Sequence, residues 1–294
     1  MADIQDGKFA HDATVAPQAS RVFPLFSLKG KTAIVSGANS NIGRAVAQAL
    51  AEAGANVAIW HRQSKDEAET TASEIERDYG VKCKAYRVNV RSYDEVSSAI
   101  DSIVAEFNGR LDVFVANAGI TWEHGSMLDG PVQAYSDVVA TNLDGTYFCA
   151  RAAGLHFRRQ KREGTTVHGA PLEEPRFTGG SFVATASMSG HIVNVPQLQA
   201  AYNASKAAVA HLCRSLAVEW AGFARANSVS PGYINTSISE FCDADTKRAW
   251  KDKIPMGREG EVSELKGVYL YLASDASSYT TGTDIAVDGG YCAP

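Results

Sequence analysis

The chain of 294 residues carries 28 Lys and Arg against 33 Asp and Glu, a net charge of −5, and 45% of its positions are apolar. A chain of that size buries roughly three quarters of its unfolded surface in one large or two small domains, which excludes a disordered tail, a collagen-like fibre and a disulfide-stapled miniprotein. Its acidic balance gives no field to attract a polyphosphate, so nucleic-acid binding is excluded as a main task and a small-molecule partner is expected.

Five cysteines, Cys83, Cys149, Cys213, Cys242 and Cys292, form neither a C-x-x-C pair nor a metal-type spacing and read as reduced thiols. No run approaches the roughly 20 apolar residues that span a bilayer, and the acidic first twenty residues lack a secretory core. A cytoplasmic protein with no membrane partner is expected. Residues 1–27 have little periodicity and read as a flexible extension, or an arm docking on a neighbouring subunit, ahead of one domain over 28–294.

From Lys29 onward, short β-branched runs alternate with helix-length amphipathic stretches. The first run, Thr32–Val35, enters Ser36-Gly37-Ala38-Asn39-Ser40-Asn41-Ile42-Gly43 and then an expected helix over Ile42–Ala53. A strand, a glycine-rich turn and a helix N-terminus aim backbone N–H groups and the positive end of the helix dipole at a pyrophosphate. Gly37, Asn39, Ser40, Asn41, Ile42 and Gly43 are therefore candidate cofactor contacts. Asn is the non-glycine residue best able to take a left-handed conformation, which suits position 41 of the turn. The second run, Asn56–Trp60, ends at His61 and Arg62 ahead of a helix over Asp66–Tyr79. NAD-preferring sheets place an acid there. Arg62 instead offers charge-assisted bonds to a 2′-phosphate, so NADP(H) is the expected cofactor.

A third run, Cys83–Val88, and a helix over Tyr93–Phe107 follow; the fourth run, Leu111–Val115, leads into Asn117-Ala118-Gly119, with Asn142 in the helix beyond. Residues 161–180, KREGTTVHGAPLEEPRFTGG, have no apolar period. They join a helix to a strand, at the edge of a parallel sheet opposite the ligand edge, and read as a surface insertion. The fifth run, Ser181–Thr185, ends in Ala186-Ser187-Met188-Ser189-Gly190, and a helix over Ala201–Trp220 opens with Tyr202-Asn203-Ala204-Ser205-Lys206. Tyr and Lys four apart share a helix face. A phenol titrates near 10 by itself, and a neighbouring ammonium lowers that value. A tyrosine so tuned exchanges a proton with a carbonyl or alcohol oxygen, which a hydroxyl from Ser187 or Ser189 would hold. The sixth run, Asn227–Val229, precedes Ser230-Pro231-Gly232-Tyr233-Ile234-Asn235-Thr236; a helix over Glu261–Ala273 and a last run, Asp284–Val287, complete the series. Continuous apolar runs suit strands buried on both faces. The expected fold is α/β: a doubly wound (Rossmann), mostly parallel seven-stranded sheet with helices on both faces, its motifs gathered around one crevice.

These motifs, in this order, resemble the short-chain dehydrogenase/reductase family from about Leu28 to Tyr291, with Ser36 in the Thr place and Asn41 in the middle Gly place of T-G-x-x-x-G-x-G. The resemblance implies an NADP(H)-dependent enzyme that interconverts a carbonyl and its secondary alcohol without a metal. It implies that Ser187 polarises the carbonyl, Tyr202 is the general acid/base, Lys206 lowers the tyrosine pKa and binds the nicotinamide ribose, and Asn142 holds a proton-relay water. Asn117 would stabilise the sheet and touch the cofactor ribose, with Ala118 and Gly119 beside it. His61 would flank Arg62, Asn89 and Val90 the adenine, and Ile234 and Thr236, after Pro231 and Gly232, would hold the carboxamide. The form S-x-x-G selects Ser187, whereas the usual distance to the tyrosine selects Ser189.

Loops after the fourth, fifth and sixth runs supply Trp122, Glu123, His124, His191, Val193, Asn194, Gln197, Tyr233, Ile238, Phe241 and Trp250, a mixture suited to a polyhydroxylated or otherwise polar ketone. SMSGHIVNVPQLQAAYNASK, IPMGR and DASSYTTGTDIAVDGGY are similar to the fungal NADP-dependent mannitol 2-dehydrogenase, sorbose reductase and L-xylulose reductase group, from which Asn41 and segment 161–180 depart. That similarity implies ketose-to-polyol reduction in a homotetramer whose contacts come from the C-terminal strand and the helix over 201–220. A reductase tailoring a secondary metabolite, or a non-redox enzyme with NADP(H) as scaffold, is the alternative.

Overall fold

Each apolar run becomes a strand: β1 Thr32–Ser36, β2 Asn56–His61, β3 Cys83–Arg87, β4 Val113–Ala116, β5 Gly180–Thr185, β6 Ala224–Pro231 and β7 Asp284–Val287. The computed structural model describes residues 4–5, 8–9, 16–17, 19–172, 175–236 and 244–293. All seven strands pair in parallel, in the order β3-β2-β1-β4-β5-β6-β7. Connecting them are α1 Asn41–Glu52, α2 Lys65–Tyr79, α3 Tyr93–Glu106, α4 Val132–Val139, α5 Gly145–Glu163, α6 Ala200–Glu219, α7 Ala244–Lys251 and α8 Lys266–Ala273.

Alternate strand residues feed two separate cores, which is why the runs read as continuously apolar. Ile34, Trp60, Phe114 and Phe182 face α3, α5 and α6. Val35, Val57, Ile59, Val115 and Val183 face α1, α2 and α8. The chain leaves β1 outward to β3 and then returns to β4 on the other side. That reversal opens a crevice at the carboxyl ends of β1 and β4.

Three elements differ from expectation. β6 runs past Asn227–Val229 at both ends, pairing with β5 from Ala224 and with β7 as far as Pro231, and its polar residues Asn227, Ser228 and Ser230 are fully buried. Their partners come from elsewhere: Asn227 Nδ2 donates to the Thr280 carbonyl at 3.0 Å, and both serines donate to Asp284. The expected helix over Glu261–Ala273 splits into a 3₁₀ turn, Val262–Leu265, and α8. Segment 161–180 begins inside α5, and its Leu172 and Phe177 are buried in the core on the α5 face. It lies by Gly109, ahead of β4, where the Val167 N–H donates to the Gly109 carbonyl at 2.9 Å. Within residues 1–27, Ile4–Gln5 and Lys8–Phe9 pair antiparallel and Val22–Leu25 makes one helical turn.

Candidate active site

The glycine-rich turn is built by close backbone approach. Gly37 sits at φ +63°, and a Cβ there would lie 3.0 Å from Ala118 Cα. A Cβ on Gly43 would fall 2.1 Å from the Gly37 carbonyl oxygen, closer than any contact atoms tolerate. Asn41 opens α1 at φ 52°, the left-handed conformation expected of it. Ser40 precedes α1 without a side-chain cap. Ser36 Oγ accepts from the N–H groups of Asn117 and Ala118, both at 3.0 Å, while Asn117 Nδ2 donates to the carbonyls of Ser36 and Gly37 at 3.1 and 3.0 Å. Asn117 thus stitches β4 to the turn. Because the obstacle at Gly43 is backbone, Gly43→Ala is expected to lower unfolding free energy by about 1–3 kcal/mol. A denaturant midpoint equal to wild type would show that the turn yields.

The catalytic candidates converge from β5 and α6. The Ser187 hydroxyl faces the Tyr202 phenol and lowers its pKa against the larger effect of burial. Ser187 Oγ also accepts from the Ser189 N–H at 3.1 Å, whereas Ser189 Oγ is occupied by Gln199 Nε2 at 3.3 Å. Of the two serines, Ser187 is therefore the one that reaches the phenol. Lys206, one helical turn beyond Tyr202, is 4% exposed, donates to the Thr185 carbonyl at 2.7 Å, and stands 5.6 Å from the Tyr202 ring centroid.

Electrostatics differ from expectation here. Burial pushes the Tyr202 phenol upward, opposed by the Ser187 hydroxyl, and burial draws the Lys206 ammonium down to about 8. A low-dielectric pocket disfavours both charged forms, and this exceeds the attraction of an ammonium held on a carbonyl. Tyr202 is accordingly protonated at neutral pH, the state a proton donor needs.

Asn142 lies in a π-helical turn, Ala140–Asp144, between α4 and α5. Its Oδ1 accepts from the Ile120 N–H at 2.8 Å, and its Nδ2 donates to the Ile120 carbonyl at 3.0 Å and to Ser205 Oγ at 3.1 Å. Its side chain clamps the loop after β4 to α6. At the intervening Gly119, a Cβ would lie 3.2 Å from Asn142 Oδ1 and 3.4 Å from Lys206 Nζ.

One cavity of about 320 Å³ joins these groups. Gly37, Asn39, Ser40, Asn41, Ile42 and Gly43 line it at one end, and Asn117, Ala118 and Gly119 continue the wall. Ser187, Tyr202 and Lys206 meet Pro231, Gly232, Ile234 and Thr236 across it. His61, Arg62, Asn89, Val90 and Asn142 are not in its lining. Arg62 is exposed at the end of β2, and His61 is buried with Nδ1 3.0 Å from the Gln63 carbonyl. Asn89 Oδ1 accepts from the Arg91 N–H at 3.2 Å, and Val90 packs beneath Gly145.

Of the side chains read as substrate contacts, Asn194, Gln197, Tyr233 and Trp250 line the cavity. Trp122 instead is buried against Val138 and Ala201. His191 bonds Asp284 at 2.6 Å, Thr121 donates to Glu123 at 3.0 Å, and Val193 is exposed. Ile238 and Phe241 lie outside the described residues. Sequence reading missed Gln199 and the Thr185 carbonyl, the latter because any residue type supplies a carbonyl. Among the described residues no three His, Cys, Asp or Glu side chains gather to hold a metal ion, and no helix is long and apolar enough to cross a membrane.

Residues 37–292 match the family described as enoyl-(acyl carrier protein) reductase, a span that holds β2 to β7, the turn from Gly37 and the Ser-Tyr-Lys cluster. The chain belongs to the short-chain dehydrogenase/reductase family. It is 65% identical to the L-xylulose reductase of Hypocrea jecorina over 291 residues, 99% of this chain and all of that one. It is 48% identical to the NADP-dependent mannitol dehydrogenase of Alternaria alternata over 94% of this chain and 97% of the other. Among solved structures, the NADPH-dependent 3-quinuclidinone reductase of Rhodotorula rubra superposes with a TM-score of 0.86 at 40% identity, covering 96% of this chain and 99% of that one.

Proposed function

We propose that this protein is an NADPH-dependent reductase that interconverts a ketose-like ketone and its polyol-like secondary alcohol. The observation that carries the reading is a phenol–hydroxyl pair, Tyr202 and Ser187, beside Lys206 in a cavity continuous with the glycine-rich turn. The turn fits a dinucleotide pyrophosphate: its glycines leave no room for side chains, and Ser40 does not cap α1. Bound NADPH supplies a hydride to the carbonyl carbon. Ser187 Oγ donates a hydrogen bond to the carbonyl oxygen and Tyr202 Oη delivers the proton, while Lys206 holds the cofactor ribose and favours the phenolate left behind. Ile234 and Thr236, which line the cavity, would hold the nicotinamide end, and Asn117 the ribose. Asn142 fixes the loop that carries Gly119. Of the three proteins reported above, the L-xylulose reductase and the mannitol dehydrogenase are named for a sugar or sugar alcohol, which supports the ketose reading.

NADPH oxidation with a panel of ketoses and one bulky hydroxyl-free ketone tests the reading. Turnover of ketoses is expected; turnover of the bulky ketone alone would replace it with a reductase of secondary metabolites. Arg62, exposed just past β2, is proposed as the cation for the 2′-phosphate, and charge-assisted hydrogen bonds contribute about 1.5–3 kcal/mol. Arg62→Ala should therefore raise the NADPH dissociation constant about 10- to 100-fold and shift the NADPH-to-NADH preference by the same factor. An unchanged preference would show that the phosphate is held elsewhere.

The pH dependence follows from Lys206, whose proton leaves at about 8. Reduction needs the ammonium, so kcat/KM should fall as pH rises through that value, and Lys206→Arg should carry the falling limb to higher pH. Stability has the opposite sign: an unfolded chain keeps this proton into the ordinary lysine range near 10.4, so this group adds stability as pH rises from about 8 toward that range. A flat rate profile between pH 7 and 9 would contradict the assignment.

We also propose a cytoplasmic homotetramer. β7 stands at the sheet edge, and Tyr147 and Leu155 on α5 and Val218 on α6 are more than two-fifths exposed, apolar surface that suits burial against another copy. Sedimentation should give the mass of four chains.

A further inference from the structure

Buried polar atoms almost always have partners, so the exceptions mark places where something else completes them. Among the described residues, Asn194 Oδ1 and Trp250 Nε1 are buried without a hydrogen-bond partner, and they are the orphans whose residues line the cavity holding Ser187 and Tyr202. Asn194 is 1% exposed and comes from the segment after β5, whereas Trp250 is 2% exposed and comes from α7. A third lining residue, Tyr233, orients both. Its ring stacks on Trp250 at 4.0 Å between centroids and 9° between planes, and its Oη receives Asn194 Nδ2 at 3.1 Å.

The geometry points to Asn194 and Trp250 as the pair that recognises hydroxyl groups on the substrate chain, away from the reacting carbonyl. One is an acceptor and the other a donor. A hydroxyl matches both, donating to the amide oxygen and accepting from the indole N–H, whereas a hydrocarbon chain leaves both unpaired, as they are in the free protein. The pair therefore favours hydroxylated ketones by hydrogen bonds that a hydroxyl-free analogue does not supply. Tyr233 fixes the two atoms before the substrate arrives, so less freedom is lost on binding.

This inference rests on the ketose reading above, and the test separates the two. The holoenzyme is assayed with NADPH on a ketose and on a hydroxyl-free ketone of the same carbon count, first for wild type, then for Trp250→Phe and Asn194→Leu. Trp250→Phe keeps an aromatic ring against Tyr233 and removes the N–H; Asn194→Leu removes the acceptor. Each variant should lower the ratio of kcat/KM for ketose over plain ketone at least tenfold, chiefly through KM for the ketose. If both substrates lose kcat/KM by the same factor, the two residues only pack the wall and the inference is overturned. A variant that does not fold leaves the decision to the other. A wild type that reduces the plain ketone and no ketose removes the ketose reading itself, before any variant is compared.

Discussion

Tyr202→Phe should abolish turnover while NADPH still binds. The substitution removes one oxygen from a half-buried ring that keeps its packing against the Trp122, Val138 and Ala201 cluster. A positioned general acid contributes about 10²- to 10⁴-fold; the cavity's other phenol, Tyr233, is held against Trp250 with its Oη on Asn194, and Lys206 is committed to the Thr185 carbonyl, 5.6 Å from the Tyr202 ring centroid. The variant's NADPH dissociation constant, read by fluorescence titration, should stay within a few-fold of wild type. Retained reduction at the wild-type rate would remove Tyr202 as the acid and pass the role to solvent or Ser187.

Ser187→Ala carries the second large effect and decides between two hydroxyls that sequence spacing left unresolved. Removing a preorganised donor to a developing oxyanion costs about 10²- to 10³-fold in kcat. Ser187 is the hydroxyl that faces the phenol, and it receives the Ser189 N–H, so its rotamer is set before substrate binds. Ser189→Ala breaks a different bond, the one from Gln199 Nε2 at 3.3 Å, and should cost far less in kcat. Steady-state kinetics of the two variants side by side check this. Full activity in Ser187→Ala with none in Ser189→Ala would reverse the assignment.

Main-chain architecture was legible because parallel strands buried on both faces write themselves as continuous apolar runs, and the glycines at 37 and 43 as a fixed interval. The site was legible where a motif fixes a side chain to a turn or a helix face, as with Tyr202 and Lys206. Three features were not. The two ends of β6, Ala224–Ala226 and Ser230–Pro231, look like loop until β7 and its preceding turn supply partners, Thr281 Oγ1 for the Ala226 N–H and Asp284 for Ser230. The form S-x-x-G chose Ser187 against the spacing to the tyrosine, but the physical ground for that choice, Gln199 occupying Ser189, is invisible in the sequence. The direction of the Tyr202 shift needed the depth of the pocket, because proximity of a lysine in sequence says nothing about how much water both groups have lost. The same limit explains His191 and Trp122: each lies in a loop that reaches the cavity, yet one turns to a buried carboxylate and the other to its own small cluster.

The account stands on hydride and proton arriving at one carbonyl from two different donors. NADPH deuterated at C4, prepared separately on each face, with a ketose in ordinary water, measures this directly by mass spectrometry and NMR of the polyol. One of the two labelled cofactors should place one deuterium on the new carbinol carbon, and Tyr202→Phe should remove that product. A polyol free of deuterium with both cofactors, or cofactor oxidised with no polyol formed, would contradict it.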